Sequence, residues 1–113
     1  MRGFKRAVFS GFTTTALASI ISDIIAGHRN LHGVWHVAAE PINKFDLLSL
    51  VKQAYESDIE IEPDESFVCD RSLNGERFRR ETGITAPSWP EMILQMRADN
   101  TPYDELRRVN VTR

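Results

Sequence analysis

Residues 5–38 read KRAVFSGFTTTALASIISDIIAGHRNLHGVWHVA, and the fold class turns on this stretch. Residues 5–9 are partly apolar and bounded by Ser10-Gly11, the pattern of a short strand. Thr13, Thr14 and Thr15 then offer hydroxyls that can cap exposed amides at a helix start. Leu17, Ile20, Ile21, Ile24 and Ile25 recur at helical spacing and define one apolar face, with Asp23 off it. Gly27 is a stop, and His28 and Arg29 suit the negative end of the helix dipole. Beyond Gly33, the run Val34-Trp35-His36-Val37-Ala38 is the most strand-like in the chain, by its β-branched and aromatic content. Strand, helix, strand at this spacing predicts one right-handed βαβ unit with parallel strands.

Further along, Pro41 ends that strand. Asn43 and Asp46 have the spacing of a helix cap and its reciprocal acceptor, and Leu47, Leu48, Leu50, Val51, Ala54 and Tyr55 continue as a helix. Ile59 and Ile61 alternate with Glu60 and Glu62, which predicts a half-buried strand. Pro63-Asp64 should turn the chain, and Phe67-Val68-Cys69 should form another short strand. Residues 76–82 read as a helix stopped by Gly83. Ser88 and Glu91 form a capping box, with Pro90 in the first turn, ahead of a helix that aligns Trp89, Met92, Ile93 and Met96. Thr101-Pro102 restarts a helical turn, and the tail 109–113 is expected to fray.

The chain has 113 residues, 42% apolar and 27% charged, so it is globular and the size of one domain or part of one. Its 14 basic and 16 acidic residues leave a net charge of −2, which gives no general pull toward nucleic acid or an anionic membrane. The single cysteine, Cys69, excludes an internal disulfide framework and fits a reducing cytoplasm. Arg2, Lys5 and Arg6 precede an apolar run at 16–26, as in a targeting peptide. Gly11, the threonines and Asp23 interrupt that pattern, and the run is far shorter than the roughly 20 residues a bilayer span needs.

Five segments in order resemble the dTDP-4-dehydrorhamnose reductase branch of the extended short-chain dehydrogenases. They are Gly11-Phe12-Thr13-Thr14-Thr15-Ala16-Leu17-Ala18; Leu31-His32-Gly33-Val34-Trp35-His36-Val37; Glu40-Pro41-Ile42-Asn43-Lys44-Phe45-Asp46-Leu47-Leu48; Asp70-Arg71-Ser72-Leu73-Asn74 with Arg77-Phe78; and Pro87-Ser88-Trp89-Pro90-Glu91-Met92-Ile93. The resemblance implies an α/β fold in two parts. Residues 1–39 would be the C-terminal βαβ piece of a Rossmann-like parallel sheet. Residues 40–113 would be a small mixed α+β cap that closes over a sugar nucleotide. It also implies NAD(P)H as the cofactor of the parent enzyme and a nucleotide-sugar substrate.

The chemistry of that family is incomplete in this chain. The glycines are Gly3, Gly11, Gly27, Gly33, Gly75 and Gly83, and none makes the G-x-G or G-x-x-G turn that lets backbone approach a dinucleotide pyrophosphate. Proton transfer in the family uses Tyr-x-x-x-Lys, whereas here Ile59 follows Tyr55 and Arg107 follows Tyr103 at that spacing. No catalytic residue and no bound cofactor are therefore expected of this chain by itself.

The candidate substrate contacts are Asp70, Arg71 and Ser72, with Thr14 the member of the threonine run placed at the cleft. Arg71 can hold a diphosphate through two parallel hydrogen bonds. The competing role for Arg71 is a surface pair with Asp70 or Glu76, and for the threonines it is helix capping. His28, His32 and His36 recur at intervals of four, but Gly27 and Gly33 break any helix that would align them, so no metal site is expected. Trp35 and Trp89 read as core or interface anchors. Arg77, Arg79 and Arg80 read as a solvated helix face, and Cys69 as a small buried side chain. The glycosylation sequon Asn110-Val111-Thr112 is expected to be a chance match.

Besides a structural piece that only associates with its own N-terminal half, two functions follow. One is the substrate-binding portion of a nucleotide-sugar reductase in carbohydrate biosynthesis, working with its own N-terminal half. The other is a non-catalytic regulatory or binding module on the same fold, as in the regulatory subunits of methionine adenosyltransferase, which resemble the same reductases. Open strand edges and an apolar helix face predict self-association or partner binding in either case.

Overall fold

A computed structural model describes residues 1–111, and the side chains of residues 1–108. The elements run β1 (Arg2–Phe9), α1 (Thr14–Gly27), β2 (Ile42–Asn43), α2 (Lys44–Ala54), β3 (Glu62–Asp70), α3 (Glu76–Thr82), α4 (Trp89–Ala98) and α5 (Tyr103–Val111). The chain is mixed α/β, with a three-stranded sheet ordered β2-β1-β3. β1 is antiparallel to β2, through Val8↔Asn43 and Phe9↔Ile42, and parallel to β3. α5 carries the 109–113 tail as helix as far as Val111. Residues 112 and 113, and with them Thr112 of the sequon, lie outside the described residues.

The parallel pairing involves a different strand from the one expected. Residues 34–38 form no strand, and Val34 is 81% exposed. The two edges of β1 are taken by β2, at residues 8 and 9, and by β3, so this run does not pair with β1. Its β-branched and aromatic content describes a fit to a pleated surface and supplies no hydrogen-bonding partner. One backbone bond ties its end to β1: the Ala39 amide donates to the Ser10 carbonyl at 2.8 Å, and Ala38 and Ala39 are buried. The expected βαβ unit with 34–38 as its second strand is therefore replaced by a β1–β3 parallel pair.

β3 also merges two expected pieces. The register runs Arg2↔Glu62 to Phe4↔Asp64, then Arg6↔Val68 to Val8↔Asp70, so β3 carries extra residues between its two halves. The irregularity sits where the Asp64 carboxylate accepts hydrogen bonds from the Ser66 amide and hydroxyl. Pro63, expected to turn the chain, is accommodated in the strand because β3 lies at the sheet edge. The strand expected at 59–62 begins only at Glu62. Ile61 packs instead on Gly3, where an added Cβ would meet Phe45 at 2.7 Å and Ile61 at 2.8 Å. Glycine at position 3 lets α2 and the approach to β3 close onto β1.

The helix boundaries follow from their caps. The Thr13 side chain accepts from the Ala16 amide, Asn43 from Asp46 at 2.8 Å, and Ser88 from Glu91. Asn43 also donates its amide to the Asp46 carboxylate at 2.9 Å, so the reciprocal contact is made side chain to side chain. Gly83 closes α3 in the left-handed region at φ 72°, which costs glycine nothing. The core joins Ala16, Ala39, Trp89, Met92 and Ile93, with Leu47, Leu50, Val51 and Met96 packed around it. Trp89 donates its indole N–H to the Glu40 carbonyl at 2.7 Å and serves as the expected anchor. The radius of gyration is 16.7 Å, against about 13 Å for a compact domain of about 100 residues. The molecule is a slab of 46 × 41 × 25 Å with apolar surface left open.

Candidate functional site

The loop that follows β3 is pinned from three directions. The Arg71 amide donates to the Val8 carbonyl at 2.9 Å, continuing the parallel ladder by one residue. The Asp70 carboxylate accepts from the Ser72 amide at 2.9 Å and the Ser72 hydroxyl at 2.6 Å, forming a tight turn. These two bonds, the hydroxyl first, hold the Asp70 carboxyl below its ordinary pKa against a smaller opposing effect of burial. Ser10, only 3% exposed, accepts from the Leu73 amide at 2.8 Å and reaches the Leu73 carbonyl at 3.4 Å. Farther on, Gly75 approaches the chain so closely that a Cβ there would lie 3.0 Å from the Ala38 nitrogen.

This loop separates two clefts, and its sequence neighbours face different ones. Arg71 lines a cleft of about 420 Å³ over the sheet, with Ala7, Phe9, Ile42, Lys44, Leu47, Phe67 and Cys69. The walls are mostly apolar, and the two cations are Arg71 and Lys44. Phe67 packs against Phe4, with ring centroids 5.2 Å apart, and the Lys44 ammonium sits 4.9 Å from the centroid of the Phe4 ring. Ser72 lines a second, more polar cleft of about 740 Å³, with Ala38, Glu40, Asn74, Arg79 and Thr85. Arg71 stays on the Phe67–Cys69 side by strand alternation, whereas Ser72 lies past the strand in the turn closed by Asp70 and lines the other cleft.

Each candidate residue now has a place. Arg71 forms an ion pair with neither Asp70 nor Glu76. Asp70 is engaged by Ser72, and Glu76 lies 4.0 Å from Arg80. Asp70 and the Ser72 hydroxyl satisfy one another and shape the turn. Thr14 is exposed on the first turn of α1 and lines neither of these two clefts, while Thr13 does the capping. The histidines sit apart in role: His28 caps α1, the His32 ring donates from Nδ1 to the Asn30 carbonyl at 3.2 Å, and His36 is exposed. Cys69 is a free, half-buried thiol in the wall of the sheet cleft.

Several contributors were not singled out from sequence. Phe67 shares the Arg71 side of β3 by alternation through Cys69, and Lys44 joins them because β2, just before it, pairs with β1 on its other edge. Ser10 carried one signal, a small hydroxyl between a strand and a glycine. The arginines of α3 are more than a solvated face: Arg79 lines the polar cleft, and the Arg77 guanidinium stacks 4.0 Å from the Trp35 ring. Trp35, with its indole N–H held by the His32 carbonyl at 2.9 Å, is thus a stacking partner and only half-buried. Among the described residues no helix is long and apolar enough to cross a membrane, and no group of three or more His, Cys, Asp or Glu side chains is placed to hold a metal ion. No protein-family model, no curated protein and no solved structure matches this chain.

Proposed function

We propose that this chain is the substrate-binding portion of an NAD(P)-dependent nucleotide-sugar reductase resembling dTDP-4-dehydrorhamnose reductase. On this reading the Rossmann-like cofactor site and the proton-transfer pair belong to a separate unit that works in the cytoplasm with NAD(P)H. The observation that carries it is the Arg71 cleft. An apolar floor of Phe9, Ile42 and Phe67 suits the flat face of a base, and Lys44 and Arg71 supply two positive charges for a diphosphate. The guanidinium has no ion pair to surrender among the described residues, so binding an anion costs it no existing partner. Asp70 and Ser72 act by holding the turn that presents Arg71.

The test is an NMR titration of the full chain with dTDP-glucose, comparing wild type with Arg71→Ala and His32→Ala. Arg71→Ala should weaken binding by about 1.5–3 kcal/mol, the worth of a charge-assisted hydrogen bond, and His32→Ala should change nothing. Shifts should map to the lining of the sheet cleft. The chain alone should oxidise no NAD(P)H with a 4-keto-6-deoxy sugar nucleotide. Equal binding by wild type and Arg71→Ala would remove Arg71 from the site and leave the reading without its support.

A further inference from the structure

Residues 74 and 75 are the one place in the chain where an asparagine precedes a glycine. Asn30 precedes Leu31, Asn43 precedes Lys44, Asn100 precedes Thr101 and Asn110 precedes Val111. The difference is chemical. A backbone amide nitrogen can attack the side-chain carbonyl carbon of the asparagine before it, and a side chain on the attacking residue crowds that approach. Glycine has no Cβ, so the Gly75 nitrogen is the least shielded of these.

The fold adds to this. Asn74 is exposed, and the Glu76 amide donates to its Oδ1 at 2.9 Å. The turn folds the side chain back over the Gly75 peptide and draws electron density from the carbonyl carbon. When the Gly75 nitrogen adds to Cγ, negative charge develops on that same Oδ1. The Glu76 N–H already lies within the span of about 2.7–3.1 Å at which a donor stabilises an oxyanion. Asn43 is the contrast: its Oδ1 accepts from the Asp46 amide, and the Asp46 carboxylate holds its Nδ2, the group that would have to leave.

We propose that Asn74 converts spontaneously in the folded protein, through a cyclic imide with Gly75, and that the isoaspartyl product loosens the loop. The Gly75 nitrogen gives up its proton and bonds to Cγ. The Cγ–Nδ2 bond breaks, and Nδ2 takes up a proton and leaves as ammonia. Water then opens the imide at one carbonyl or the other, giving aspartate, or isoaspartate with the main chain running through Cβ and Cγ. The second product lengthens the main chain where both neighbours are held. The Leu73 amide is bonded to buried Ser10 at 2.8 Å, and a Cβ on Gly75 would lie 3.0 Å from the Ala38 nitrogen. Either product adds a carboxylate to the polar cleft that Glu40 and Arg79 also line. None of this depends on the proposed sugar-nucleotide site.

The test is prolonged incubation of the full chain in warm, mildly alkaline buffer, followed by ion exchange and mass-spectrometric peptide mapping. A form one charge more negative than the starting net charge of −2 should accumulate. Asn74 should convert at least about tenfold faster than Asn30, Asn43 or Asn100, and isoaspartyl methyltransferase should label residue 74. Asn74→Gln, whose longer side chain closes the ring poorly, should yield little of the acidic form. In the isolated isoaspartyl form the Leu73 amide should exchange at least about tenfold faster than in the unmodified chain. An Asn74 that stays an amide in the folded chain, while converting in urea, overturns the proposal. So does an acidic form that accumulates equally in Asn74→Gln, or a Leu73 amide that exchanges alike in the modified and unmodified chains.

Discussion

Removing the Ser10 hydroxyl should destabilise the protein by about 1–2 kcal/mol and loosen the loop at Leu73 before anything else. Ser10 Oγ is the acceptor for the Leu73 amide at 2.8 Å, across 63 residues of sequence. In Ser10→Ala that amide, part-buried, keeps its desolvation and loses its partner, for which the cost is about 1–3 kcal/mol. The void is a single oxygen, smaller than the roughly 30 Å³ share of a liquid water, so solvent does not enter to replace the bond. The lower half of the range applies because the site is part-buried and the Leu73 carbonyl bond, at 3.4 Å, is long. For a chain of this size the loss corresponds to a fall in Tm of roughly 4–10 °C. Thermal and urea denaturation measure the total, and native-state hydrogen exchange at Leu73 locates it. An unchanged exchange rate at Leu73 together with a Tm within a degree of wild type would show that the hydroxyl does not hold the loop. The equivalent exposed change, Ser66→Ala, should cost much less.

Other outcomes follow from the same geometry. Met92→Ala should cost about 2–5 kcal/mol in urea denaturation, because Met92 is 0% exposed at the centre of the core. Gly75→Ala should destabilise by about 1–3 kcal/mol and distort the polar cleft, since the new Cβ meets Ala38 backbone that cannot swing aside; unshifted Ala38 and Ala39 amide resonances would count against this. Ser72→Ala should raise the Asp70 pKa toward the ordinary value of about 3.9, read by NMR titration of its carboxyl carbon. Asp70, Asp64 and Asp99 all have lowered folded-state values, each chiefly from a hydroxyl hydrogen bond. Their stabilisation is therefore complete above the unfolded value and is lost as pH falls through the lower folded value. Stability measured between pH 7 and pH 2 should drop only below about pH 4, and a loss centred near neutrality would contradict the assignment.

Local chemistry settled what was legible in the sequence. Thr13, Asn43 and Ser88 cap helices where their hydroxyl or amide meets the amide three residues on, and Gly83 stops α3 because its backbone takes a positive φ. Those interactions close within a few residues, so spacing alone reveals them. Asp70, Arg71 and Ser72 were legible as a polar turn for the same reason. The partners of β1 were not. Residues 34–38 have better strand composition than residues 62–64, yet the latter pair with β1, because composition says nothing about which segment the tertiary packing lays against a given strand. The arrival of Lys44 beside Arg71 and the bond from Ser10 to Leu73 depend on that packing. Ser10 and Leu73 lie 63 positions apart and Lys44 and Arg71 lie 27 apart, and only the tertiary structure, by placing β2 and β3 on β1, brings each pair to one loop or one cleft.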